Sequence, residues 1–223
     1  MERGFLFAED EFYHTYNRGV EKRDIFMDVS DYERMMLLLR ICNSTTPVNI
    51  REYRERMFSL ESIWALDIDG PIVDIGAWCL MPNHFHLLLR ERKAGGISQF
   101  MQKITTAYTM YFNKRMERVG SLMQGTFKAE PIINDRHMQY LFSYIHLNPV
   151  KLIHGEESWT RDGIRNIKQV EKHLRDYRYS SLPDYMSPKS RVQASIISPE
   201  HFPWKFESVA EMKKELTDWL SQG

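Results

Sequence analysis

Cysteine is scarce in this chain: its 223 residues hold two, Cys42 and Cys79, far apart and outside any paired spacing. That excludes a disulfide framework and a zinc knuckle, and makes a reducing cytosol the default compartment. Net charge is also missing, since 30 basic residues balance 30 acidic ones. The whole-chain charge therefore does not select nucleic acid, whose binders usually carry a basic excess. No apolar run approaches the roughly 18 residues of a membrane span. The start, Met1-Glu2-Arg3 and then a short Gly-Phe-Leu-Phe-Ala run, lacks the apolar core of a signal peptide. Internal repeats and low-complexity tracts are absent as well. What is present is a globular composition of ample length for one ordinary domain plus an extension. The expectation is a soluble cytoplasmic protein with no membrane partner.

Local charge differs from the total. Between Arg90 and Lys128 stand eight basic residues (Arg90, Arg92, Lys93, Lys103, Lys114, Arg115, Arg118, Lys128) against Glu91 and Glu117, a balance of +6. Such a stretch is either a solvated helix face or a surface for phosphates, and the pattern alone leaves both readings open.

Hydrophobic periodicity gives the order of elements. Phe12 to Asn17 is aromatic and β-branched and ends at Arg18-Gly19, so it reads as a strand. Asp28 to Asp31 supply N-cap candidates for a helix through Tyr32, Met35, Met36, Leu38 and Leu39. Residues 44–73 are irregular, with helical character around Arg51 to Leu60. Val73 to Leu80 and Phe85 to Arg90 are apolar runs that read as adjacent buried strands. Ile97, Phe100, Met101, Ile104, Tyr108, Tyr111 and Phe112 recur at helical spacing and predict one long helix. Phe127 to Ile133 predicts a fourth strand, and Asn134-Asp135 caps a helix that must end before Pro149. This order predicts an α+β fold: a ferredoxin-like split βαβ antiparallel sheet with helices on one face. It places a domain at 10–155 and a mainly helical or irregular C-terminal extension at 156–223, closing with a helix from about Ser208 to Leu220.

Two constellations could carry chemistry. His84 and His86 are two apart in a strand, so their imidazoles share a face while Phe85 points to the other. Two imidazoles on one face make half of a metal site. Alone, such a pair is more often packed or solvated than ligating. The second constellation is Tyr144-Ile145-His146-Leu147-Asn148-Pro149, in which Tyr144 and Asn148 lie one turn apart on a helix face. The bland reading is a core tyrosine with a polar cap, and the chain offers 11 tyrosines to choose from. Together the two sets say more. A phenol, with a pKa near 10, is a poor nucleophile until a phosphate is polarised and placed in line with it. Two imidazoles and an amide leave a cation its full charge and open positions for phosphate oxygens.

Met81-Pro82-Asn83-His84-Phe85-His86-Leu87-Leu88-Leu89 resembles the HUH motif, histidine-hydrophobic-histidine, of single-tyrosine transposases. Tyr144 to Lys151, with Gln124 to Lys128 and Tyr16 to Gly19, is similar to the REP-associated tyrosine transposases among them. The resemblance spans about residues 10–155. It implies an enzyme that nicks and joins single-stranded or hairpin DNA through a 5′-phosphotyrosine, with Tyr144 as nucleophile. It implies a divalent ion, Mg²⁺ or Mn²⁺, on His84 and His86, with Asn148 completing the site. Imidazole ligation itself favours Mn²⁺, so the ion stays open. Tyr108 and Tyr111 are rival nucleophiles, but they fit the apolar stripe of their helix.

The resemblance also favours phosphate contacts by Lys103, Lys114, Arg115 and Arg118, with Arg18 as a further candidate. Two other readings stand beside the enzyme. One is a domesticated protein that binds DNA or RNA hairpins without cleaving them. The other, ranked low, is a metal-dependent hydrolase, since neither motif offers a carboxylate. A homodimer, the sharing of active sites between subunits, and the role of the C-terminal extension are left open.

Overall fold

The computed structural model describes residues 4–46, 60–65, 67, 69–154, 167–187, 191–203, 211 and 214. The helical character expected from residue 51 lies outside them up to residue 59, and Leu60–Trp64 forms a short helix. The expected closing helix from Ser208 to Leu220 falls outside them apart from residues 211 and 214.

The strands are β1 (Phe12–Arg18), β2 (Val73–Met81), β3 (His84–Glu91) and β4 (Lys128–Pro131). The longer helices are α1 (Val29–Ile41), α2 (Gly96–Arg115), α3 (Asp135–Leu147) and α4 (Ile167–Asp176), followed by the short α5 (Leu182–Met186). The sheet order is β2-β3-β1-β4, with every neighbouring pair antiparallel. This is the predicted ferredoxin-like arrangement.

Local chemistry sets the helix starts. The Asp28 carboxylate accepts from the Ser30 backbone N–H and opens α1. Asn134 does the same for α3, its side-chain oxygen accepting from the His137 N–H at 2.8 Å. At α2 the cap comes from the end of β3, where the buried Glu91 carboxylate accepts from the N–H groups of Gly96 (3.1 Å) and Ile97 (2.7 Å). A negative charge at a helix N-terminus satisfies orphan donors and complements the dipole. Leu147 ends α3, and Pro149 sits in the 3₁₀ turn Asn148–Val150.

β2 is buried at all nine positions, so both faces of the sheet are covered. Its register shifts between Ile75 and Ala77. This bulge keeps Val73, Ile75, Trp78 and Leu80 on one face, where they join Phe85, Leu87 and Leu89 against α1 and α2. Ala77, Cys79, Met81 and Leu88 take the other face, against Met138, Phe142 and Ile145 of α3. The helices are therefore not confined to one face. α1 and α2 share one, as the two crossovers of this fold must, while α3 lies opposite, because the apolar residues of β2 and β3 on that side also have to be covered.

The extension packs on the same side as α3. Val170, Leu174, Leu182 and Phe202 belong to that second core. Tyr179 O accepts from Leu80 N and Ser181 N donates to Trp78 O, each at 2.9 Å, so the chain runs along the free edge of β2. The Phe202 ring comes so close to Gly76 that a Cβ there would stand 2.5 Å from it. None of the described helices is long and apolar enough to cross a membrane.

Candidate active site

The face of the sheet that carries α3 also carries the histidines. In β3, His84 and His86 point to that side, opposite Arg18 and Tyr16 of β1 in the strand register. The two rings stand 5.0 Å apart, nearly perpendicular. Tyr144 of α3 comes down onto them, its ring 5.5 Å from that of His86 and edge-on to it. The structure brings these three residues of the sequence reading together: they line a single cavity of about 430 Å³ in one chain.

Among the described residues, charge in the cavity is of one sign: Arg18, Lys22, Lys128 and Lys151 line it, and no carboxylate does. Lys151 Nζ lies 5.2 Å from the centre of the Tyr144 ring, and Lys128 Nζ lies 6.0 Å from that of Tyr16. Low-dielectric walls around four cations focus a positive potential suited to phosphate.

Each functional side chain has an anchor. The Asn83 amide oxygen lies 2.5 Å from His84 Nδ1. An amide oxygen can only accept, so Nδ1 carries a proton, and in the neutral ring the lone pair is then on Nε2. His86 Nδ1 lies 2.9 Å from Nε2 of His14, which is itself buried. Burial holds the His14 pKa down at about 4 and, with the neighbouring His14, His84 and Lys151, holds that of His86 well below the usual imidazole range. Both rings are therefore neutral near pH 7, the state in which imidazole binds metal. The Tyr144 phenol is pushed up, first by burial and further by Glu130 and Cys79, while the Asn148 side chain works against the shift.

Asn148 itself is not brought to the cavity. It is buried, its amide N–H donates to Tyr144 O at 2.8 Å, and its amide oxygen accepts from Lys151 Nζ at 2.9 Å. The oxygen expected to ligate a metal thus holds the ammonium over the tyrosine. Among the described residues no group of three or more His, Cys, Asp or Glu side chains is arranged to hold a metal.

The cations on α2 and just after it are also elsewhere. Lys103 Nζ donates to Ser44 O at 2.5 Å. Arg115 closes on Asp28 and Asp31. Arg118 donates to Asn113 Oδ1 at 2.5 Å and to Ser121 O at 3.1 Å. Lys114 is exposed but does not line the cavity. Of the five expected phosphate contacts, Arg18 alone is at the site, its Nε donating to Gln124 Oε1 at 2.5 Å. The rival tyrosines are structural, as their spacing predicts: Tyr108 donates to Ile25 O from full burial, and Tyr111 to Asp31 Oδ1 at 2.9 Å.

A family model described as IS200-like transposases matches residues 44–148, a span that contains the histidine motif and reaches from Tyr144 to Asn148 of the second. Over that span the chain is similar to the IS200-like transposases. The sheet and helices are similar to a solved structure described as a REP-associated tyrosine transposase bound to a REP hairpin. The match has a TM-score of 0.52 at 15% identity, and covers 84% of this chain and 86% of that one. At that identity the likeness is one of fold. No curated protein matches the chain.

Sequence reasoning missed Lys22, Lys151 and His14 as parts of the site. Alternation along β1 does put His14, Tyr16 and Arg18 on one face. Only the pairing of β1 with β3 shows that this is the face of the histidines. Lys151 follows Tyr144 by two helical turns, a spacing that was readable once the turn at Pro149 was known not to redirect the chain.

Proposed function

We propose that this protein is a nicking and joining enzyme for single-stranded or hairpin DNA, with Tyr144 as its nucleophile. The reading is carried by one observation: Tyr144, His84 and His86 of a single chain line one cavity whose charged residues, among those described, are all cations. The family match and the hairpin bound by the solved neighbour support DNA as the substrate.

In this mechanism Arg18, Lys22 and Lys128 hold the DNA backbone by its phosphates. The Tyr144 hydroxyl oxygen attacks the scissile phosphorus, the bond from phosphorus to the 3′ oxygen breaks, and the phenol proton is balanced on the departing 3′ hydroxyl. The 5′ phosphate stays on Tyr144, and the reverse reaction with another 3′ hydroxyl rejoins a strand. Lys151, fixed by Asn148, places positive charge beside the phenol as it gives up its proton.

His84 and His86 fit a divalent cation, Mg²⁺ or Mn²⁺, because they share a face of β3, burial keeps His86 neutral, and the Asn83 amide oxygen orients the His84 ring through Nδ1. Such an ion, when bound, would withdraw charge from the phosphate oxygens. One chain supplies the histidines and the tyrosine, an arrangement that supports action in cis.

A domesticated hairpin-binding protein is the competing reading. The two are separated by incubating hairpin DNA with the wild type and with Tyr144→Phe in Mn²⁺ and resolving the products under denaturing conditions. The enzyme forms an adduct that the variant lacks; absence of the adduct with retained binding favours the competitor.

A further inference from the structure

His86 does not stand alone on its strand. Its Nδ1 is 2.9 Å from His14 Nε2, with the two rings stacked at 5.1 Å and 20°. His14 stacks on Tyr16 as well, and meets the Tyr144 ring edge-on at 6.1 Å. It is 4% exposed and does not line the cavity, so it cannot touch a substrate there. Its other ring nitrogen, Nδ1, is buried with no hydrogen-bond partner among the described residues. A buried polar atom left unpaired is costly and asks for a reason.

We propose that His14 is a positioning residue for His86: by accepting from Nδ1 it fixes the tautomer in which His86 Nε2 can ligate a metal. The proposal rests on the reading of His84 and His86 as a metal pair.

Two neutral imidazole nitrogens at this distance must be one donor and one acceptor, so the two tautomers are locked to each other. If His86 donates from Nδ1, its Nε2 has a lone pair, and His14 keeps its own proton on the buried Nδ1. If His14 donates instead, His86 carries its proton on Nε2 and cannot ligate there. Only the first arrangement serves a metal, and it is the one that makes the orphaned His14 Nδ1 a donor. His84 is set the same way through its Nδ1, by the Asn83 amide oxygen. Both histidines are thus steered from behind, one by an amide and one by an imidazole, which is how outer partners commonly orient metal-binding histidines.

The test is Mn²⁺ binding by the full chain, followed through the electron paramagnetic resonance signal of the free ion. Wild type, His84→Ala, His14→Phe, His14→Asn and His14→Gln are compared, with metal-free hairpin binding as the check on folding. The expected result is about 10- to 100-fold weaker Mn²⁺ binding in His14→Phe. His14→Asn, too short to reach Nδ1, weakens equally and serves if the phenylalanine disturbs the core. His14→Gln, whose amide oxygen can accept from Nδ1, returns to within a few-fold of wild type. Wild-type affinity in both Phe and Asn variants overturns the proposal, as does a Gln variant no better than Phe. If the wild type does not bind Mn²⁺, or His84→Ala binds it equally well, the metal reading itself fails and the positioning role with it.

Discussion

The Tyr144 ring meets the His86 ring edge-on, with centroids 5.5 Å apart and planes at 82°. One residue comes from α3 and the other from β3, and the contact is what makes a cavity of two otherwise separate motifs. On one side of it lies His14, and on the other Lys151 reaches over the tyrosine.

Lys151 is the residue whose loss separates chemistry from binding. In Lys151→Gln the charge beside the phenol is gone while Asn148 keeps its bond to Tyr144 O. The rate of adduct formation at saturating hairpin is expected to fall on the order of 10²-fold, the typical effect of removing one electrostatic stabiliser. Single-turnover kinetics check this, and an unchanged rate would show that the ammonium serves packing alone.

Salt dependence distinguishes the cavity cations from those on α2 and just after it. Replacing Lys22 or Lys128 by alanine should reduce the slope of log affinity against log salt by about one unit each. Lys103→Ala and Arg118→Ala should leave that slope alone, since their side chains bind Ser44, Asn113 and Ser121 instead. Arg115→Ala should lower the thermal midpoint by leaving the buried Asp31 without its guanidinium. Titrations of a fluorescent hairpin at several salt concentrations, with melting curves for the same variants, report both.

Most of the fold was legible because hydrophobic period and capping residues are local signals. Asp28, Asn134 and Pro149 mark helix limits within a residue or two of where they occur. The histidine pair and Tyr144 were legible because a strand and a helix each show which residues share a face. The basic run on α2 misled because sequence cannot show that Arg115 faces Asp28 and Asp31, whose positions depend on α1 packing against α2. For the same reason Asn148 read as a ligand: nothing local says that its oxygen meets Lys151. The glycine at 76 was equally silent, since its need for a bare Cα comes from Phe202, far along the chain.

That last contact gives a stability prediction. In Gly76→Ala the new methyl group meets the Phe202 ring and must displace it, with a destabilisation of about 1–3 kcal/mol. Urea denaturation of the variant checks the value. A variant as stable as wild type would place Phe202 elsewhere in solution.

Acid lability should trace partly to His146. The ring is fully buried, its Nε2 lies 2.7 Å from Ser181 Oγ, and burial holds its pKa down at about 3. The unfolded chain takes up this proton near pH 6.5 and the folded one does not. Stability is therefore full above pH 6.5 and is lost as pH falls from there toward 3, by about 1.4 kcal/mol per pH unit for one proton. His146→Leu should flatten the curve of unfolding free energy between pH 6 and pH 4 by that slope. An unchanged slope would assign the lability to other groups.

The central claim is covalent attachment of Tyr144 to the 5′ phosphate, and the polarity of the adduct tests it most directly. A hairpin substrate labelled on either side of the cleavage point is incubated with wild type or Tyr144→Phe in Mn²⁺ and resolved under denaturing conditions. The label on the 3′ side should migrate with wild-type protein, the label on the 5′ side should leave as a fragment ending in a 3′ hydroxyl, and the variant should yield neither species. An adduct that persists in Tyr144→Phe, or one that retains the 5′-side label, would contradict the account.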